Sequence, residues 1–145
     1  MKLITADASP FVRKVRVLIL ELGLQDSVVL EDAGPITPVS INAGLNAINP
    51  LGMIPALELD DGDSLYDSTV ICEYLNQAAH GPFFPSDPSR RFRTLRLQAL
   101  GDGMLDLSVA LRRCNGRNGS IAKMLKSNAA SIRWKIFATV SNRLP

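Results

Sequence analysis

Between Met1 and Ala78 the chain alternates strand-like and helix-like segments in the order βαβαββα, which restricts it to an α/β fold with helices packed on a mixed sheet. Met1–Thr5 is β-prone, and Ser9-Pro10 then predicts a helix entrance. Serine is a favoured N-cap, and proline at the first helical position loses no hydrogen bond. Apolar Val12, Val15, Leu18, Ile19 and Leu22 recur at spacings of three and four, which predicts a helix over Phe11–Leu22 stopped by Gly23. Ser27–Glu31 is a second strand. The Gly-, Pro- and Asn-rich stretch from Asp32 to Asn49 has room for one short helix around Ile41–Ala47. Ile54–Leu59 is a third strand, and the acidic turn Asp60-Asp61-Gly62-Asp63 joins it to Ser64–Tyr66 as a hairpin. Asp67 and Ser68 open a helix whose expected buried stripe is Val70, Ile71, Tyr74, Leu75 and Ala78.

Residues 1–80 thus form one folding plan, and Gly81–Pro88, with three prolines, is the clearest linker. A long helix is expected from Ser89 to about Arg113, with Phe92, Leu95, Ala99, Leu100, Met104, Leu107 and Leu111 on one side. Arg90, Arg91, Arg93 and Arg96 crowd its first turns, where cations oppose the helix dipole. That cluster answers either to a tertiary or subunit contact or to a solvated basic face. Beyond Arg113 the composition changes. Residues 1–113 hold all 14 acidic residues against 10 Lys and Arg, a net of −4, whereas residues 114–145 hold six Lys and Arg and no acidic residue. The last 32 residues are an atypical basic tail.

Composition excludes several classes. At 145 residues and 46% hydrophobic the chain can build a core, so whole-chain disorder is excluded. No apolar run approaches the ~18 residues of a membrane span, and the N-terminus lacks a basic region followed by an apolar one. The expectation is a soluble cytoplasmic protein with neither membrane nor nucleic acid as partner. Cys72 and Cys114 are too few and too far apart for a disulfide framework or a zinc site.

Three features stand at the joints of the βαβαββα unit. Ser9 follows the first strand, Pro55 opens the third, and Asp67-Ser68 opens the third helix. With their flanks they read SPFVRK, NPLGMIPAL and YDSTVICEYL. In that order and spacing they are specific together, and Met1 to about Leu111 resembles the glutathione S-transferases. SPFVRK and the DGMLD segment of the long helix are similar to a bacterial branch of that superfamily.

The resemblance implies a thioredoxin-like domain over 1–80, a truncated all-α segment after it, and glutathione as co-substrate. Its thiolate would attack an electrophilic carbon of an unknown small electrophile. A hydroxyl at Ser9, at the positive end of the first helix, would favour the thiolate, although Ser-Pro is an N-cap in any protein. Thr5 is a second hydroxyl nearby. Pro55 matches the family's cis-proline, which turns the backbone of Ile54 outward to pair with the cysteinyl part of glutathione like an added strand. Ser68, through its hydroxyl and N–H, matches the partner of the γ-glutamyl carboxylate, and Asp67 that of its ammonium. Both are also ordinary helix caps. A homodimer is implied, with the first domain of one subunit against the long helices of the other.

Some positions depart from the family. Between Gly34 and Met53, where members often place a basic or amide side chain for the glycyl carboxylate, there is no Lys, Arg or His. Asn42, Asn46 and Asn49 are the only amides there, which implies weak affinity or a carboxylate left to solvent. Ser9-Pro10-Phe11-Val12 replaces the Cys-x-x-Cys of thioredoxins and glutaredoxins, which excludes disulfide exchange as the main chemistry. Cys72 is expected as a buried packing residue and His80 as a helix C-terminal cap. After Pro88 only 57 residues remain for a helical domain that supplies most of the electrophile pocket. A displaced reading frame or degraded gene end after Arg113 is expected, with a genuinely short variant as the alternative. A transferase, a non-catalytic glutathione-binding or interaction module, and an incomplete product all stay open. A long helix left uncovered would make the chain marginally stable or self-associating, with 114–145 mobile.

Overall fold

The computed structural model describes residues 1–35, 42–114 and 127, and its first helix starts where Ser9-Pro10 predicts. Strand β1 (Lys2–Thr5) leads to helix α1 (Pro10–Glu21), strand β2 (Val29–Asp32), helix α2 (Ala43–Ile48) and the hairpin β3 (Ala56–Glu58) and β4 (Ser64–Leu65). Helices α3 (Ser68–Ala78) and α4 (Pro88–Cys114) follow. The sheet order is β2-β1-β3-β4, with β1 parallel to β2 and antiparallel to β3. With three helices on it, this is the thioredoxin-like fold. The chain divides into two units, Met1–Leu95 and Arg96–Pro145.

Alternation along the strands sends neighbours to opposite faces. Leu3 and Leu57, paired in register, pack with Val15 and Ile19 of α1 and Ile71, Cys72 and Leu75 of α3. Ile4 and Ala56, also paired, pack on the other face with Leu45 of α2. Edge strand β2 exposes all four residues, and the buried Val28 lies just ahead of it. Lys2 bridges the sheet's charged rim at 3.4 Å from Glu31 and 3.3 Å from Glu58. Its hydrogen bonds to Glu58 and Glu31 hold its pKa above the ordinary lysine value.

The expected stripe on α3 is rotated. Val70 and Ala78 face solvent and Tyr74 is half-buried, whereas Ser68, Cys72 and Asn76 join Ile71 and Leu75 inside. A buried amide is tolerated because it is satisfied. The Asn76 side-chain oxygen accepts from Phe83 N–H at 2.9 Å, and its carbonyl accepts from Gly81 N–H at 2.7 Å. Asn76 thereby ties the linker to the core. A Cβ on Gly81 would lie 2.4 Å from Leu22 Cδ2 and 2.5 Å from that same Asn76 oxygen. Gly81→Ala is therefore expected to cost about 1–3 kcal/mol in chemical denaturation, as overpacking does. An unchanged midpoint would show that the linker yields freely.

Helix α4 is preceded by Asp87, whose carboxylate accepts from Arg90 N–H at 2.9 Å and from the Ser89 hydroxyl at 2.8 Å. Those bonds lower its pKa, so the cap is intact at neutral pH and is lost only as pH falls through that lowered value. Of the clustered arginines, Arg91 pairs with Glu73 of α3, which is the tertiary contact expected for part of the cluster. On the expected apolar side of α4, Phe92 is 70% exposed and Leu100 and Met104 are also exposed. The basic tail lies outside the described residues apart from Cys114 and Ser127. Among the described residues no helix is long and apolar enough to cross a membrane.

Candidate functional site

The sheet register decides where the three sequence features meet. β1 ends at Thr5, and β3, running the other way, begins at Ala56 opposite Ile4. β4 reverses again, pairing Leu65 with Leu57, so that Tyr66, Asp67 and Ser68 return toward the start of β3. The loop after β1, the residues before β3 and the start of α3 therefore converge at one end of the sheet. Ser9, Ile54-Pro55 and Asp67-Ser68 all occupy that end.

Each is held by its own backbone. Ser9 N–H donates to the Ala6 carbonyl at 3.0 Å, and Ser9 Oγ accepts from Val12 N–H at 3.3 Å as the N-cap of α1. An oxygen that accepts keeps its own proton for donation. The peptide bond joining Ile54 to Pro55 is cis, and Pro55 is buried while Ile54 is half-buried. Asp67, not Ser68, caps α3: its carboxylate accepts from Thr69 N–H at 2.9 Å. The bond joining Tyr66 to Asp67 is also cis. Ser68 is 2% exposed at the first turn of the helix.

Other sequence candidates fall elsewhere. The Thr5 hydroxyl donates to the Glu31 carbonyl at 3.0 Å, so its proton is committed to the sheet rather than to a ligand. Cys72 is buried in the core, as expected. His80 follows the α3 C-cap with a left-handed backbone, φ 51°, the usual conformation just past a helix end. Asn42 and Asn49 are not free amides for a carboxylate. Asn42 accepts from Leu45 N–H at 3.0 Å and donates to the Ala33 carbonyl at 2.7 Å. Asn49 is likewise occupied at both ends, by Leu51 N–H and the Met53 carbonyl. Sequence reasoning saw them only as polar residues in a loop. The available signal was their position, one just before and one just after a six-residue helix. A cleft of about 640 Å³ lies between the far half of α3, the linker and the start of α4, lined in part by Gln77, His80 and Arg90. It sits at the end of α3 remote from Ser68, so it is not the place where the three features meet.

The structure thus joins a thioredoxin-like sheet to a hydroxyl-capped first helix, a cis-proline and an acidic-Ser pair at one end. The N-terminal domain of glutathione S-transferases matches residues 3–83, and the chain belongs to that family. It is 34% identical over 110 residues to the uncharacterized GST-like protein YibF of Escherichia coli K12. That match covers 75% of this chain and 52% of YibF, so the chain spans about half the length of that relative. A glutathione transferase family member from Pseudomonas fluorescens Pf-5, solved with bound glutathione, superposes with a TM-score of 0.81 at 40% identity. The superposition covers 90% of this chain and 67% of that one. A glutathione S-transferase from Methylobacillus flagellatus KT with glutathione bound gives a TM-score of 0.75 at 29% identity, over 93% and 67% of the two chains.

Proposed function

We propose that the chain binds glutathione at the end of the sheet where Ser9, Ile54-Pro55 and Asp67-Ser68 converge, and transfers its thiolate to an electrophilic carbon. The convergence imposed by the strand register carries this reading, because the sequence separates those residues widely. The glutathione-bound relative from Pseudomonas fluorescens supports the ligand. The γ-glutamyl carboxylate would lie at the N-terminus of α3 against Ser68, its ammonium against Asp67, and the cysteinyl unit along the Ile54 backbone. The sulfur would then lie near Ser9. Its hydroxyl proton and the positive end of α1 both favour S⁻ over SH, with the thiol proton passing to solvent. With a chloroaromatic electrophile, the S–C bond forms as the C–Cl bond breaks and chloride departs.

A second reading, glutathione binding without turnover, draws on Ser9 Oγ, which already serves as the N-cap of α1 by accepting from Val12 N–H. A homodimer in the cytoplasm completes the proposal. Exposed Phe92, Leu100 and Met104 on α4 are the kind of apolar surface that pairing would cover. Immobilised glutathione is expected to retain the chain and free glutathione to elute it; passage without retention overturns both readings. Turnover of a chloroaromatic electrophile by the retained protein selects the first reading, and retention without turnover selects the second.

A further inference from the structure

The proposed contact with the cysteinyl unit depends on where the Ile54 N–H points, and one buried side chain governs that. Asn49 is the C-cap of α2 and is 2% exposed. Its backbone N–H donates to the Leu45 carbonyl at 2.7 Å, and its carbonyl accepts from Gly52 N–H at 2.8 Å. Its side-chain oxygen accepts from Leu51 N–H at 3.0 Å, and Nδ2 donates to the Met53 carbonyl at 2.7 Å. One residue therefore closes the whole turn from α2 to the proline.

The last of those bonds matters most. The Met53 carbonyl and the Ile54 N–H are the two ends of one planar trans peptide, so they point in opposite directions. Drawing the carbonyl toward the buried Asn49 turns the N–H away from it, toward the outside of the loop. Among the described residues the Ile54 N–H makes no hydrogen bond. Accepting a bond at the carbonyl also polarises the peptide and strengthens its N–H as a donor. Both ends of the turn are anchored. Ser64 Oγ donates to the Ile48 carbonyl at 2.8 Å, pinning the residue before Asn49 to β4. Gly52 has φ +61°, and a Cβ there would lie 2.9 Å from the side-chain oxygen of Asn46, so the turn is tight as well as closed.

We infer that Asn49 is a positioning residue for glutathione, orienting the Met53–Ile54 peptide so that its N–H meets the ligand's cysteinyl carbonyl. This rests on the docking proposed above. The test uses the full-length chain labelled with ¹⁵N and titrated with reduced glutathione. In the unmodified chain the Ile54 amide resonance is expected to move on binding, and the Asn49 side-chain amide protons to exchange slowly before any ligand is added. Asn49→Asp keeps the acceptor for Leu51 but removes the donor to Met53; Asn49→Ala removes both. Each is expected to weaken glutathione binding about tenfold, the scale of one well-placed hydrogen bond. Leu51 should stay protected in the Asp variant alone. In both ligand-free variants the Ile54 amide should shift while those of Val15 and Ile71 do not, which a general loss of structure would not reproduce.

Unchanged affinity in Asn49→Asp, or an unmoved Ile54 amide in that ligand-free variant, overturns the inference. Fast exchange of the Asn49 side-chain amide in the unmodified chain overturns it too, even if the variants do not fold. If glutathione leaves Ile54 unmoved in the unmodified chain, the docking proposal is overturned instead. The ligand-free comparison tells the two failures apart.

Discussion

Leu57→Ala is expected to cost about 2–5 kcal/mol of stability, a large share of the roughly 5–15 kcal/mol that holds a typical domain together. Leu57 is fully buried on β3, between β1 and β4, and its side chain packs where α1 and α3 meet the sheet. Removing its branched end leaves a void bounded by Leu3, Val15 and Ile71, all of which come from different elements, so no single side chain can move to fill it. Urea unfolding followed by far-ultraviolet circular dichroism gives the number. A loss below about 1 kcal/mol would mean that the layers close around the gap and that the packing is looser than the complete burial implies.

The second large effect is chemical. Ser9→Ala is expected to leave glutathione binding largely intact and to raise the pKa of the bound thiol, each unit corresponding to about 1.4 kcal/mol and a tenfold smaller thiolate fraction at neutral pH. The alanine also removes the cap on Val12 N–H, so some stability is lost with the hydroxyl. Ser9→Asn separates the two, because asparagine caps a helix but has no hydroxyl to offer the sulfur. Ultraviolet titration of the bound thiol in all three chains makes the comparison. Equal pKa values would reduce Ser9 to a helix cap.

The order of elements was legible because its punctuation is local. Ser9-Pro10 starts α1 and Asp67 caps α3, and both signals operate within one helical turn. The orientation of α3 was not legible in the same way. Hydrophobic spacing favoured Val70 and Ala78, but the fold buries Asn76, whose partners Gly81 and Phe83 belong to the next segment. An amide's environment is set by what packs on it, and composition cannot report that. The candidate site was readable residue by residue, whereas its support was not. Asn42 and Asn49 read in the sequence only as polar amides in a loop, yet their hydrogen bonds run to backbone groups of the Ala33 and Met53 turns.

The placement of β1 inside the sheet also sets a timetable for synthesis. Lys2 pairs with Val29 on one side and with Glu58 on the other, so 56 positions must be added before the first strand has both neighbours. At the usual 5–20 residues per second, that is roughly 3–11 s during which Leu3 and Ile4 emerge with an open flank. Helix α1 can form early from its own cap, but it has no finished surface to rest on until the hairpin arrives. Of the four strands in this sheet β1 is made first, yet it is enclosed on both sides only once β3 arrives, so co-translational protection is most valuable while β1 waits.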